Sequence, residues 1–251
     1  MMGTSHAATG VLTGAGVGVL LQADPLSTVT CALIGGGAAL LPDLDEPGST
    51  AGRSLGRVTE LLSRRLRDAS RAVYGRTATA VELRRPQEGG HRYLTHTLPA
   101  CAVFGALAGT VALVPLGAGL VVFALAALGL GTVLRSARRL GSPRKRERTA
   151  VGVAGILGAC TLLVDGYGPP AWLVGLLVFA GALTHVLGDW LTRSGVPLAW
   201  PFVVRGRRWW MFRSPVPFTT GESPVETGIR TGSLIITPIM VVWGGTALPP
   251  V

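Results

Sequence analysis

HRYLTH, residues 91–96, places two of the chain's four histidines five positions apart, just ahead of a long apolar run. The other two are His6 and His185. Neutral imidazole handles protons near neutral pH and ligates borderline metals. Aspartates stand in two more short motifs: LPDLDEP carries Asp43 and Asp45, and THVLGDW carries His185 and Asp189. His185 and Asp189 are i,i+4, so on a helix they share one face. Imidazole plus carboxylate is a sound two-ligand unit for Zn, Mn or Fe(II). Asp43 and Asp45 sit two apart in a proline-bracketed turn, where both carboxylates point one way, or one ligates while the other orients a histidine. His91 and His96, at i,i+5, would be ~140° apart on a straight helix. So His91 lies in the loop before the helix, or the two histidines serve different ends. Arg92, between them, is suited to clamp a phosphate or carboxylate.

Each piece has a plainer reading. An i,i+4 His–Asp pair is often a hydrogen bond, and aspartates beside proline are ordinary turn formers. His96 suits a hydrogen-bonded core position, His6 a solvated one near the start of the chain, and Arg92 a charge that sets topology.

The elements that carry these residues belong to a membrane. The chain has 251 residues, 48% of them apolar and 14% charged, with a mean hydropathy of +0.47. A soluble domain carries about 25% charge. Charge is also placed in blocks, with none over 98–134 and much over 53–92. Seven apolar segments stand out, at 7–22, 26–41, 98–114, 117–134, 150–164, 170–191 and 232–248. They are rich in Gly and Ala, as closely packed membrane helices are. The expected fold is all-α: one polytopic membrane helix bundle, 1–251, with six to seven transmembrane segments. The start, MMGTSHAATG, lacks a basic stretch, so the first apolar run is expected to stay as a membrane helix. Cys31, Cys101 and Cys160 lie in apolar segments without C-x-x-C spacing and read as small buried hydrophobes.

Letting the connections alternate sides places all 23 Lys and Arg on one side, in 42–97, 135–149 and 192–231. The other side receives Asp24 and Asp165. The positive-inside rule makes the basic side, and with it the N-terminus, cytoplasmic. His6, Asp43, Asp45, His91, His96, His185 and Asp189 all fall on that side, although none of them entered the topology argument.

Two basic segments have their own character. In the insert 48–90, Leu55, Val58, Leu61, Leu62, Leu66, Ala69 and Val73 recur at helical spacing among arginines. That suits a helix in the headgroup plane, or one packed on the bundle. In the loop 193–231, RGRRWWMFR sets Trp209 and Trp210 beside arginines, as interfacial anchors do, and a nucleic-acid partner is not expected. The charge run SPRKRER, 142–148, reads as a topogenic loop.

Taken together, His6, LPDLDEP, HRYLTH-T and H-x-x-x-D-x-x-T-x-x-G-V-x-x-x-x-PF resemble the YdjM-like, LexA-regulated, membrane-bound metal-dependent hydrolase family of bacteria. The resemblance runs from His6 to about Glu226. It implies an integral inner-membrane protein with a divalent metal ion. It points to His6, Asp43, Asp45, His91, His96, His185 and Asp189 as ligands, and marks Thr192, Gly195 and Pro201. Arg92 and Glu226 join Asp45 as catalytic candidates, Glu226 in preference to Glu222. On this reading Asp45 or Glu226 accepts a proton from water, while Arg92 and Arg193 steady an anionic group. Thr97 stands where the family often has serine, and the basic insert departs from the family pattern. A lipid-linked phosphoester is the substrate class that suits a site at the headgroups. The rival classes are a cation or proton transporter with a His/Asp relay and a non-catalytic protein with a structural metal site.

Overall fold

Every apolar segment folds as a helix, and all of these helices but the first start where the sequence supplies a cap or a proline. The computed structural model describes residues 1–84, 89–137, 141–221 and 223–247. Helix α1 spans Gly3–Leu20, α2 Pro25–Ala38, α3 Arg57–Thr77, α4 Leu98–Val111, α5 Pro115–Ser136, α6 Pro143–Leu163, α7 Ala171–Trp190 and α8 Pro224–Ala247. The described residues contain no strand, only isolated bridges within the loop after α7. Asp24 caps α2 by accepting from the amides of Leu26 and Ser27, and Pro25 occupies a first-turn position that needs no N–H.

The stretches Pro25–Asp45, Pro115–Ser136, Ala171–Trp190 and Pro224–Gly244 are each long and apolar enough to cross a membrane. Helix α4 is apolar but shorter. The outward faces are apolar too: Leu107 on α4, Leu120 on α5, Ile156 on α6 and Val242 on α8 are all exposed. Exposed apolar surface on so many helices has a lipid bilayer as its natural solvent. The fold is therefore a helical membrane bundle, as composition predicts.

Lipid tails give helices no hydrophobic reason to associate, so close backbone approach must hold them together. Glycine supplies it. A Cβ on Gly14 of α1 would lie 2.1 Å from the Cys31 carbonyl oxygen of α2, and one on Gly37 of α2 would lie 2.1 Å from that of Leu125 on α5. Gly105 and Gly175 bring α4 onto α7 in the same way. Ile34, Val122, Leu177 and Val178 fill the core between these crossings.

Three elements differ from the sequence reading. The run SPRKRER is not a loop: Ser142 caps α6 by accepting from the Lys145 amide, Pro143 opens the helix, and Arg, Lys and Glu propagate it. Helix α8 starts at Pro224, so the preceding loop ends there and Glu226 stands in a first helical turn. Helix α3 lies the other way round from an ordinary packed helix. It buries Thr59, Ser63, Ser70 and Tyr74, and exposes Val58, Leu61 and Leu62. Its polar face is inward because it props polar loops. Arg67 donates to the Asp45 carbonyl and pairs with Glu46, while Ser70 donates to the Gly89 and Gly90 carbonyls.

The insert and the loop after α7 are tied by Glu82, which sequence reading passes over. It is buried, and its carboxylate accepts from the amides of Thr79, Arg208 and Trp209. Trp209 is buried against Tyr74, Tyr93 and Trp200, so it packs the loop rather than anchoring in an interface. Burial pushes the Glu82 carboxyl up, but the hydrogen bonds outweigh it and leave it below the ordinary glutamate range. A lowered folded pKa contributes stability that is full above the unfolded value, about 4.3, and fades as pH falls through the folded one. Hydrogen exchange should therefore show the Arg208 and Trp209 amides protected at neutral pH and losing protection below about pH 4. Glu82→Gln turns an NH2 toward donors, at a cost of about 1–3 kcal/mol, and should lower that protection about tenfold or more at pH 7. Unchanged exchange in the variant would remove Glu82 from this role.

Candidate metal centre

Four chain segments deliver the polar residues to one end of the bundle. His6 comes from the first turns of α1, and His185 and Asp189 from the last two turns of α7. Asp43 and Asp45 come from a 3-10 turn, Pro42–Asp45, which follows α2. His91 and His96 flank a backbone reversal before α4. Arg92 has φ +68°, a left-handed conformation uncommon outside glycine, and a 3-10 turn, Leu94–His96, follows it. That reversal answers the spacing problem, because both rings now face the same aspartates, with centroids 5.2 Å apart. His6, Asp45, His96, His185 and Asp189 are at most 1% exposed, whereas Asp43 is 18% and His91 30% exposed. The cluster opens on the Asp43–His91 side.

Hydrogen bonds fix which nitrogen is free in three of the four rings. His185 Nδ1 lies 2.7 Å from the Ala39 carbonyl, which can only accept, so Nδ1–H donates. Thr95 gives its one hydroxyl proton to Asp45 Oδ2 at 2.6 Å, so in the 3.0 Å contact between Thr95 Oγ1 and His96 Nδ1 the ring is the donor. His91 Nδ1 donates to Asp45 Oδ1 at 2.7 Å. In the neutral rings all three Nε2 atoms carry lone pairs. Those of His96 and His185 face each other across 3.2 Å. Two lone pairs at that distance repel unless an electron-pair acceptor lies between them.

The carboxylates complete the arrangement. Asp43 Oδ1 lies 3.5 Å from His185 Nε2 and 3.7 Å from His96 Nε2. Asp189 Oδ2 lies 3.5 Å from His96 Nε2 and 3.7 Å from His185 Nε2. Four donors held 2.0–2.1 Å from a tetrahedral ion would be ~3.3 Å apart. Five of the six edges of that figure are thus present within a few tenths of an ångström. Asp189 Oδ2 and both ring nitrogens of His6 are buried without a hydrogen-bond partner. Each orphan costs about 1–3 kcal/mol, in a protein whose whole stability is about 5–15 kcal/mol. The donor set and its orphans fit a divalent ion. The groups close enough to hold one are His6, His185 and Asp189, and Asp43, His91 and His96.

The remaining contacts are supporting. Asp189 Oδ1 meets the Met1 amine, His6 Nε2 at 3.2 Å and Arg92 at 3.2 Å. Arg92 also donates to Thr192 Oγ1 at 3.2 Å, and Thr192 donates to the Asp189 carbonyl at 2.7 Å. So Arg92 already holds an anion, Asp189, and Arg193 is exposed with no ion pair among the described residues. Asp45 spends both oxygens on His91 and Thr95. Glu226 does not join the cluster: it accepts from the Met2 and Gly221 amides. Glu222 lies outside the described residues. Thr97 caps α4 by accepting from the Ala100 amide. Gly195, at φ +72°, turns the chain so that Val196 pairs with Phe212, and a Cβ there would lie 2.4 Å from the Phe212 oxygen. Pro201 accepts from Arg208 through its carbonyl.

Outside the membrane segments, burial pushes the His91 imidazole down. The hydrogen bond to Asp45 and the charges of Asp45 and Asp43 outweigh it, leaving His91 above its ordinary value. Sequence reading missed Thr95 as a relay and Gly188. A Cβ on Gly188 would crowd His6 at 3.2 Å, so this glycine makes room for the His6 ring stacked on His185 at 3.6 Å. The small residue between His185 and Asp189 in H-V-L-G-D was the available signal.

No curated protein and no solved structure matches this chain. A family model described as YdjM inner membrane protein matches residues 1–247. By that match, and in agreement with its membrane helices, the chain belongs to the YdjM inner membrane protein family.

Proposed function

We propose that the chain is a metal-dependent hydrolase acting on a phosphoester at the cytoplasmic face of the inner membrane. The observation that carries the metal is the pair of facing Nε2 lone pairs with two carboxylate oxygens around them. A shared proton would satisfy one of those contacts, whereas a divalent ion satisfies them all. On this reading His96, His185, Asp43 and Asp189 are the central ligands. His91 and His6 lie at the edges, the former toward the opening, and extend the set to a second ion. When bound, the metal supplies Lewis acidity toward an ester oxygen and toward water. Asp45, Thr95 and the Ala39 carbonyl hold the imidazoles in the ligating tautomer. Arg92, through Thr192 and Asp189, holds the last turn of α7 in place. With Asp45 and Glu226 engaged elsewhere, Asp43 and His91 are the groups on the open side that can take a proton from water.

Three features support a substrate at the headgroups. The arginine distribution supports a cytoplasmic position for this end of the bundle. Helix α3 turns Leu61 and Leu62 outward among Arg57, Arg64 and Arg65. The cluster opens toward its Asp43–His91 edge rather than through the middle of the bundle. One observation favours a second reading: four protein donors can close a tetrahedral shell, as structural sites do. Elemental analysis of the protein purified without chelators, with hydrolysis of mono- and diester phosphate substrates, separates the two. One or two equivalents of zinc, manganese or iron, with hydrolysis that chelation abolishes, is the expected result. Metal without turnover on any ester would favour the structural site, and absence of metal would sink both.

A further inference from the structure

Two arginines stand over one tryptophan in the loop after α7. The guanidinium carbons of Arg205 and Arg207 lie 5.3 and 5.6 Å from the centroid of the Trp210 ring. The chain goes out of its way to put them there. Val204 and Arg207 exchange both backbone hydrogen bonds across a two-residue turn, whose central residues, Arg205 and Gly206, have φ +51° and +77°. That turn type favours Asn or Gly at its first central position, and arginine there is strained. Arg213 borders the same cavity, which also touches Tyr93 and Glu82 and has a volume of about 680 Å³. None of Arg205, Arg207 and Arg213 makes an ion pair among the described residues. The one acid in the wall among the described residues, Glu82, spends its oxygens on the Thr79, Arg208 and Trp209 amides. Like charges gathered around a cavity repel one another unless an anion sits between them.

The surroundings are apolar. Phe202 is 74% and Val203 51% exposed where the chain enters the cavity wall at Val204, and Val81 and Leu83 are exposed on either side of Glu82. A cationic hollow with an apolar rim fits an amphiphile whose head is an anion. We propose that this cavity binds the phosphate of an anionic phospholipid headgroup, with Arg205, Arg207 and Arg213 as its donors and Trp210 as the platform that holds two of them. Guanidinium forks match phosphate oxygens. The site is separate from the His/Asp cluster and does not rest on the metal reading.

The test uses the full chain in a neutral detergent, titrated calorimetrically with dihexanoylphosphatidylglycerol, dihexanoylphosphatidylcholine and inorganic phosphate. Phosphatidylglycerol should bind saturably and more tightly than the other two. The pair R205Q/R207Q should weaken it on the order of tenfold or more, as loss of charged hydrogen bonds does. The pair R144Q/R148Q, which removes the same charge from exposed positions in the first turns of α6, should leave it unchanged. Arg213→Gln supplies a second reading if the turn variant melts early. Equal affinity in R205Q/R207Q, or equal loss in R144Q/R148Q, would overturn the site. Inorganic phosphate binding as tightly as the lipid would overturn the lipid as its occupant, and so would equal binding of the choline lipid.

Discussion

Asp189→Ala is expected to leave the purified protein without stoichiometric metal while it still inserts in the membrane. Asp189 is, among the described residues, the one acid that meets His6, His96, His185 and Arg92 together. Its Oδ2 has no hydrogen-bond donor, so on the proposed reading an ion is the partner it lacks. Taking out the carboxylate removes a ligand and leaves Arg92 facing no acid of its own, which in a buried pair costs about 3–5 kcal/mol. Asp189→Asn separates the two effects, since it keeps the volume and loses the charge. Metal content should fall to background in both variants, with the melting temperature lower in alanine than in asparagine. Added zinc should raise the melting temperature of the wild type and of neither variant, because a ligand stabilises only the state that binds it. Full metal retention in Asp189→Asn would remove Asp189 from the ligand set.

The sequence carried more of the site than of its supports. His6, Asp43, His96, His185 and Asp189 are ionisable residues at the ends of apolar segments, where a charge is expensive and therefore noticeable. The arginine-free connections made their common side visible as well. The division of labour between Asp43 and Asp45 was not visible. Two residues apart in one turn, they are chemically identical on paper, and only the Ala39 carbonyl, Thr95 and the left-handed Arg92 tell which carboxylate faces three Nε2 atoms. Glu226 misled for a related reason: its helix begins several residues before the apolar run does, and a first-turn glutamate near backbone amides is satisfied locally. For α3, periodicity gave the stripe but not which side faced out. The inward side is polar because its partners are the carbonyls of two loops, and a moment carries no such information. The glycine crossings were foreshadowed by composition, yet which glycine meets which depends on helix order and was not legible.

The strongest test of the supporting residues is Asp45→Asn, expected to lower metal affinity 10–100-fold with little change in fold. Asp45 accepts from His91 Nδ1 with one oxygen and from Thr95 with the other, and Thr95 in turn accepts from His96 Nδ1. One carboxylate thereby holds two imidazoles in the tautomer that presents Nε2. Asparagine has the same shape but only one accepting atom. Its NH2 must face either His91 Nδ1 or the Thr95 hydroxyl. In the first case His91 turns to the other tautomer and protonates Nε2. In the second Thr95 donates to His96 Nδ1, with the same consequence for His96. Either outcome removes one lone pair from the cluster without opening a cavity. Thr95→Val breaks only the His96 arm, so it should lower metal affinity while leaving His91 untouched. Nitrogen-15 spectra of the rings report this directly: Nδ1–H on both histidines in the wild type, on His91 alone held by Asp45 in Thr95→Val. A merely structural Asp45 would predict the reverse pattern, a large fall in melting temperature with metal affinity and both tautomers unchanged.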